Sequence, residues 1–183
     1  MTALLEVPAI RQRAARLSVA DFHRLGEGLR AELLNGILIE KMPKSPLHQF
    51  IVERLRRVLS TMIEPTWILR QEGPMTFADS EPEPDLAIVS GPESACRFAH
   101  PTTARLVIEV AISSLEIDRV KALIYAEAGV SEYWIVCPEE KQVEIYRHPS
   151  PTGYAERTLL AAPALLTSTA LPGVSVDLAA LFA

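Results

Sequence analysis

The order of patterns along the chain predicts an α/β fold in which a mixed central sheet is flanked by helices. A helix-like pattern is followed by several short β-like runs and then by a strand–helix–strand unit over residues 106–137, an order typical of α/β proteins. Residues 106–111 are apolar on both faces apart from one carboxylate, as expected for a strand covered on both sides of a sheet. The pair Asn35-Gly36 between two apolar runs is a strong signal for a two-residue hairpin turn.

The N-terminal third contains two predicted helices with the hairpin between them. Residues 18–21 form a variant capping box at the start of the first helix, which is expected to end at Gly26 and Gly28. The hairpin covers residues 31–40. Ser45 and Pro46 are suited to the N-cap and first position of the second helix. Its buried face is predicted from apolar residues at helical spacing: Leu47, Ile51, Leu55, Val58, Leu59 and Met62.

The rest of the chain predicts strands, two further helices and one long loop over residues 91–103. A helix is predicted at 118–128. It is expected to end there because Gly129 suits the position that follows a helix C-terminus. Asp177 is expected to cap a short terminal helix, 178–182. Strands are predicted from short apolar or alternating runs at 66–71, 75–78, 85–90, 106–111, 132–137, 142–147 and 154–160.

Composition indicates a globular protein of 183 residues, with 49% hydrophobic and 22% charged side chains. We expect a loosely ordered N-terminal arm at 1–17 and a single domain at 18–183. Cys96 and Cys137 fit no metal-ligand spacing and no disulfide framework, so a reduced, cytoplasmic setting is expected. Neither a signal peptide nor a membrane span is predicted.

The net charge of −5 counts against a protein that coats nucleic acid non-specifically, because such proteins carry a basic face. It does not exclude a nuclease, whose carboxylates are acidic before a metal binds. Arg54, Arg56 and Arg57 in one predicted helix, with Arg119 and Lys121 in another, are candidates for a local basic patch. The alternative is that these residues form ordinary solvated helix faces.

Two carboxylates in apolar β-like runs form the candidate site. Asp85 opens the run at 85–90, and Glu109 lies within the doubly buried run at 106–111. A buried carboxylate is costly unless a cation meets it. Mg²⁺ binds through one or two carboxylates with waters and substrate phosphate, and the Val110 carbonyl could add a ligand. Lys121, expected in the first turn of the next helix, could orient water or neutralise a phosphate oxygen.

These residues carry a resemblance to a known family. The chain resembles the Uma-two family of restriction endonucleases, which belongs to the PD-(D/E)xK nuclease superfamily. The resemblance covers nearly all of residues 18–182, and its motifs are Glu32-Leu-Leu-Asn-Gly36, Ser45-Pro-Leu-His48-Gln49, Glu81-Pro-Glu-Pro-Asp85, Val107-Ile-Glu109-Val110, Asp118-Arg-Val-Lys121, Tyr125-Ala-Glu-Ala-Gly129-Val-Ser-Glu-Tyr-Trp134 and Leu171-Pro-Gly173.

The resemblance implies a restriction endonuclease-like fold with a PD-(D/E)xK core and a Mg²⁺- or Mn²⁺-dependent endonuclease acting on DNA. Asp85, Glu109 and Lys121 would be the catalytic residues, and Glu32 an additional metal ligand beside Asp85, Glu109 and Val110. The strict superfamily motif has lysine two residues after the glutamate, where this chain has Ala111. By the resemblance, Lys121 takes that role from the following helix. DNA is the expected partner, with a homodimer left open.

A second function remains open, a nuclease-fold module without turnover that binds protein or nucleic acid. On that interpretation Glu109 forms a structural ion pair with Arg105, Arg119 or Lys121, and Glu32 faces solvent. His48 is expected to bond to backbone or water rather than to a metal. If Glu32, Asp85 and Glu109 converge, their like charges repel, so neutralising Asp85 is expected not to destabilise the protein.

Overall fold

The computed structural model describes residues 16–26 and 29–183. Within them the strands are β1 (Ala31–Leu34), β2 (Ile37–Glu40), β3 (Trp67–Gln71), β4 (Leu86–Ser90), β5 (Leu106–Val110), β6 (Glu132–Cys137), β7 (Gln142–Ser150), β8 (Gly153–Ala161), β9 (Leu165–Thr167) and β10 (Ser175–Asp177). The α-helices are α1 (Val19–Arg24), α2 (Pro46–Ser60), α3 (Leu115–Glu127) and α4 (Leu178–Leu181).

A six-stranded mixed sheet lies at the centre, in the spatial order β3-β4-β5-β6-β7-β8. Strands β5 and β6 are parallel and are joined through α3, as predicted for the strand–helix–strand unit, while the other neighbours in this sheet are antiparallel. The β1–β2 hairpin and the β9–β10 pair are separate two-stranded sheets. The predicted α/β class with a mixed central sheet is therefore confirmed.

Each face of the central sheet is covered by its own apolar cluster. In β5, Leu106, Ile108 and Val110 join the cluster that contains the buried side chains of α2 and α4. Val107 and Ala111 join the opposite cluster, which contains residues of α3. The burial of both faces of this strand is confirmed, and the alternation places Glu109 on the α3 face.

Side-chain caps define the helix starts where the sequence predicts them. Ser18 and Asp21 form a reciprocal capping box on α1, and the Ser45 hydroxyl accepts the His48 backbone N–H at the start of α2. Asp177 accepts two backbone N–H groups of α4. Asn35 and Gly36 have the positive φ angles of the predicted hairpin turn, 50° and 74°. Gly28 lies outside the described residues.

Three predictions are wrong in detail. Leu47 and Met62, predicted on the buried face of the second helix, are exposed, and Met62 lies beyond the end of α2. Helix α3 begins at Leu115 rather than 118, so Lys121 lies in its second turn and not in its first. The predicted strand at 75–78 is absent from the described structure. Met75 N–H bonds to the Pro82 carbonyl, but proline has no N–H to continue a ladder. Residues 75–77 therefore have no regular secondary structure, and residue 78 lies in a bend.

Residues 1–15 of the predicted arm lie outside the described part of the chain. The backbone N–H of Leu17, the last residue of that arm, bonds to the Gly36 carbonyl at 2.9 Å. Both cysteines are free, as expected. None of the helices in the described ranges combines the length and apolar character needed to cross a bilayer.

Candidate active site

Asp85 lies immediately before β4, at the end of the extended segment that contains Pro82 and Pro84. Strands β4 and β5 pair antiparallel with Leu86 opposite Ile108, which brings Asp85 level with Glu109 one step beyond that pair. The Asp85 backbone N–H donates to Glu109 Oε2 at 3.2 Å. The two carboxylates predicted from separate sequence runs are therefore neighbours at one edge of the sheet.

The Asp85 carboxylate is buried and is met by three donors. Oδ2 accepts the Val110 backbone N–H at 2.8 Å and lies 3.0 Å from His48 Nε2, and Oδ1 accepts Lys44 Nζ at 3.1 Å. Burial alone raises the pKa of Asp85, but His48, Lys44 and the Val110 N–H outweigh it and hold that pKa below its ordinary value. Asp85 is therefore ionised at neutral pH.

This balance reverses the expectation that neutralising Asp85 does no harm. Repulsion between Asp85 and Glu109 contributes to the raised pKa of Glu109, but at Asp85 the donors outweigh the cost of burial. Removing its charge is now expected to destabilise the folded state.

Glu109 is in a different electrostatic position. Its Oε1 accepts Lys121 Nζ and the Tyr125 hydroxyl, each at 3.0 Å. Burial raises the pKa of Glu109 well above its ordinary value; Lys121 opposes this shift, while the negative charges of Asp118, Asp85 and Glu32 increase it. The like-charge repulsion expected from the sequence therefore raises the pKa of Glu109, and it also raises that of Asp118.

Lys121 projects from α3 into a group of acids. Its Nζ lies 3.0 Å from Glu109 Oε1, 2.9 Å from Glu32 Oε2 and 3.7 Å from Asp118 Oδ1. Burial lowers the pKa of Lys121, but Glu109, Glu32 and Asp118 more than offset this and raise it above its ordinary value. Lys121 is therefore a buried ammonium ion, which is brought to the strand site by a helix.

Glu32 joins the site from β1. It is 7% exposed, so the solvent-facing alternative does not hold. Besides Lys121, its Oε1 accepts the Glu83 backbone N–H at 2.7 Å, which ties the hairpin to the segment that leads to Asp85.

Four site residues are not assigned by sequence reasoning: Lys44, His48, Asp118 and Tyr125. The sequence predicts that His48 bonds to backbone or water, but its ring bonds to Asp85. Asp118 and Tyr125 fall within the family-like motifs, yet only the spacing Asp118–Lys121, one helical turn, could have placed Asp118 beside Lys121. No sequence signal places Lys44 against Asp85, because that contact depends on the fold of the loop between β2 and α2.

The side chains line an open cleft of about 160 Å³. Its floor is made by Glu32, Asp85, Glu109 and Lys121, and residues Lys41–Ser45 and Ile112–Ser114 form part of its walls. Oxygen donors of this kind suit a hard divalent cation such as Mg²⁺. Over the described ranges no three acidic, histidine or cysteine side chains form a preassembled metal-binding group. The donor chemistry thus fits a cation held by two carboxylates with waters, which Mg²⁺ accepts.

Two of the four arginines considered for a basic patch, Arg54 and Arg119, bond within the protein, whereas Arg56 and Arg57 lie at exposed positions of α2. Arg54 donates to the backbone carbonyls of Ala180, Leu181 and Ala183. Arg119 donates from Nε to both oxygens, and from a terminal nitrogen to one oxygen, of the buried carboxylate of Glu144. Lys44, at the wall of the cleft, bonds directly to Asp85 at 3.1 Å.

The fold resembles a solved structure, that of "a putative nuclease belonging to DUF820" from Anabaena variabilis. The TM-score is 0.77 at 20% sequence identity, and the match covers 91% of this chain and 97% of that one. A comparison with curated proteins gave no match. The family model Uma2, described as "Putative restriction endonuclease", matches residues 19–179. The chain therefore has a nuclease-like fold and belongs to the Uma2 (Uma-two) family.

Proposed function

We propose that the protein is an endonuclease that uses Mg²⁺ or Mn²⁺ to hydrolyse phosphodiester bonds in DNA. The observation that carries the proposal is the convergence of Asp85 and Glu109 at adjoining strand ends, with Lys121 3.0 Å from Glu109 in an open cleft. Membership of a family described as restriction endonucleases supports a nucleic-acid substrate.

Asp85 and Glu109 would hold the cation, with the Val110 carbonyl and Glu32 as further oxygen ligands. When bound, the cation supplies stabilisation of the charge that builds on the phosphate and lowers the pKa of an attacking water. Glu32 Oε1 already accepts the Glu83 N–H and Lys121 Nζ, so Oε2, which meets Lys121, is the oxygen that would serve a cation.

The two lysines have separate proposed roles. Lys121 is the positioned cation near the reacting phosphate, where it neutralises a non-bridging oxygen or orients water. Lys44 is 36% exposed, bridges Asp85 and Glu72, and lies at the wall of the cleft. It is the side chain best placed to leave its carboxylate partners and meet a neighbouring phosphate of the backbone.

A binding module without turnover is the second candidate. The observation that favours it is the position of the Lys121 ammonium, which lies among Glu32, Glu109 and Asp118 where a cation would otherwise neutralise the acids. In this alternative the acids and Lys121 form a structural network, and Ala111 marks the lost strand lysine.

Cleavage of supercoiled plasmid DNA with Mg²⁺ or Mn²⁺ separates the two functions. The wild type should nick or linearise the plasmid, and Asp85→Ala and Glu109→Ala should each abolish cleavage, because a cation held by so few carboxylates does not keep its position after losing one. Glu139→Ala, at an exposed residue, is the matched control and should cleave like the wild type. Retained DNA binding without cleavage in the wild type would support the binding module. Wild-type rates in either site variant would disprove the assignment.

A further inference from the structure

His48 contacts Asp85 but is not itself one of the proposed metal ligands. It is the third residue of α2, and its side chain is 11% exposed. Its Nε2 lies 3.0 Å from Asp85 Oδ2. Because an ionised carboxylate can only accept, Nε2 carries the proton and donates.

The contact determines which Asp85 oxygen is left for a ligand. Oδ2 receives both the His48 N–H and the Val110 backbone N–H, and these two donors satisfy it. Among the residues that the structure describes, Oδ1 is met only by Lys44, the partly exposed side chain at the wall of the cleft. Donors on Oδ2 thus fix the plane of the carboxylate and present Oδ1 to the cleft.

A purely structural role does not account for this histidine. Helix α2 is already anchored by Ile51, Val52, Leu55 and Leu59, each at most 1% exposed. The second ring nitrogen, Nδ1, is buried and has no hydrogen-bond partner within the described part of the chain. A buried polar atom without a partner costs stability, and an apolar side chain of similar size would avoid that cost.

We propose that His48 is a positioning residue for the metal-binding carboxylate of Asp85. Its N–H holds Oδ2, so that Oδ1 faces the cation. The inference rests on the proposed function, in which Asp85 is a metal ligand. Hydrogen-bond partners of this kind orient metal ligands in proteins, and their loss typically lowers metal affinity about 10- to 100-fold.

The chain contains a control with the same kind of bond at a more exposed histidine, since the His23 side chain is 54% exposed and that of His48 is 11% exposed. His23 Nε2 makes an equally short contact, 2.9 Å, to the buried carboxylate of Glu81, which does not line the cleft. His23→Leu and His48→Leu therefore remove the same kind of imidazole–carboxylate bond, one outside the proposed site and one within it.

The test is Mn²⁺ affinity measured by calorimetry on the full chain, with folding of each variant checked by circular dichroism. His48→Leu should weaken Mn²⁺ binding about 10- to 100-fold. His48→Gln, whose amide N–H can still reach Asp85, should restore affinity to within about threefold of wild type. His23→Leu should also stay within about threefold. If His48→Leu does not fold, His48→Asn provides the test, since the shorter asparagine amide cannot reach Asp85. The His48→Asn variant should then bind Mn²⁺ as weakly as is predicted for His48→Leu.

Wild-type affinity in a folded His48→Leu or His48→Asn variant would overturn the role of His48 alone, provided that Asp85→Asn loses binding. Equal loss in His23→Leu and His48→Leu would also overturn it, since the effect would then be one of stability. Absence of Mn²⁺ binding by the wild type would overturn both this inference and the proposed metal-dependent function.

Discussion

Neutralising the two central carboxylates one at a time should have unequal effects on stability. Asp85 and Glu109 lie side by side, but the pKa of Asp85 is held below its ordinary value and the pKa of Glu109 is raised well above it. The charge on Asp85 therefore favours folding, and the charge on Glu109 opposes it. Asp85→Asn and Glu109→Gln each replace one carboxylate oxygen by an amide nitrogen.

The expected size follows from the hydrogen bonds that each substitution weakens. The Asp85→Asn variant keeps one acceptor oxygen but lacks the charge that Lys44 and His48 meet, and a hydrogen bond to a charged group is worth about 1.5–3 kcal/mol. Since Lys44 is partly exposed, we expect a destabilisation near the middle of that range, about 2 kcal/mol. At about 2–4 °C per kcal/mol for a domain of this size, Tm should fall by about 4–8 °C. The Glu109→Gln variant weakens the bond to the Lys121 ammonium, at a cost of about 1.5–3 kcal/mol, but it is relieved of the burial of a charge and of the repulsion from Asp118, Asp85 and Glu32. Its Tm should therefore change little.

The measurement is thermal unfolding by circular dichroism in EDTA at neutral pH, with Glu139→Gln, at an exposed position, as control. The pH dependence of this stability difference follows from the lowered pKa of Asp85. Because the folded-state pKa of Asp85 lies below its ordinary 3.8, its contribution is present above that pH and is lost as the pH falls through the lower value. The gap between wild type and Asp85→Asn should therefore close in acid. A Tm for Asp85→Asn equal to or above that of wild type, or a larger fall in Glu109→Gln, would refute the reasoning.

Three further predictions concern the metal, the lysine and a distant acid. A divalent cation at about 100 times its Kd should stabilise the folded state by roughly 2.7 kcal/mol and raise Tm by several degrees. The Asp85→Asn substitution should largely remove this effect. A Tm that does not change with Mg²⁺ or Mn²⁺ would contradict the prediction. Lys121→Gln should lower turnover about 10²–10³-fold without weakening Mn²⁺ binding, since an ammonium repels the cation. Lys141→Gln, at an exposed position, is the control, and unchanged cleavage by Lys121→Gln would contradict the prediction. Burial raises the pKa of Glu132, but this effect is outweighed by the Trp134 N–H, the Ala170 N–H, the Ser168 hydroxyl and Arg147, which hold that pKa below 4.5. The Tm of wild type should therefore exceed that of Glu132→Gln at pH 7, and the difference should shrink as the pH falls below 4.5. A difference in Tm that is independent of pH would contradict this prediction.

The local pattern of the chain determined most of the secondary structure. Residues 106–111 are predicted as a doubly buried strand because their apolar side chains alternate without a polar face, and the structure buries both faces. Ser45-Pro46 and Asn35-Gly36 start a helix and form a hairpin for reasons contained within a few residues, namely a capping hydroxyl and positive φ. Such features depend little on the rest of the fold, so they can be predicted from the sequence.

Elements that depend on distant partners could not be predicted in the same way. The run at 75–78 has a strand-like composition, but the segment opposite it contains prolines, so a ladder does not form. The start of α3 at Leu115 lacks the usual cap. The Ser114 hydroxyl bonds to the Asp118 side chain and not to a backbone N–H of the helix. Strands β9 and β10 are three residues each and gain their pairing only when the two segments meet.

For the candidate site, the sequence by itself identified Asp85 and Glu109, since a carboxylate within an apolar strand requires a cation. Only the tertiary structure decided which cation meets which acid. The register of β4 and β5 sets Asp85 against Glu109, α3 brings Lys121 to Glu109 and Glu32, and the loop before α2 and the first turn of that helix bring Lys44 and His48 to Asp85. These contacts join residues 12 to 89 positions apart, and their electrostatic balance depends on distances of about 3 Å that no local pattern encodes.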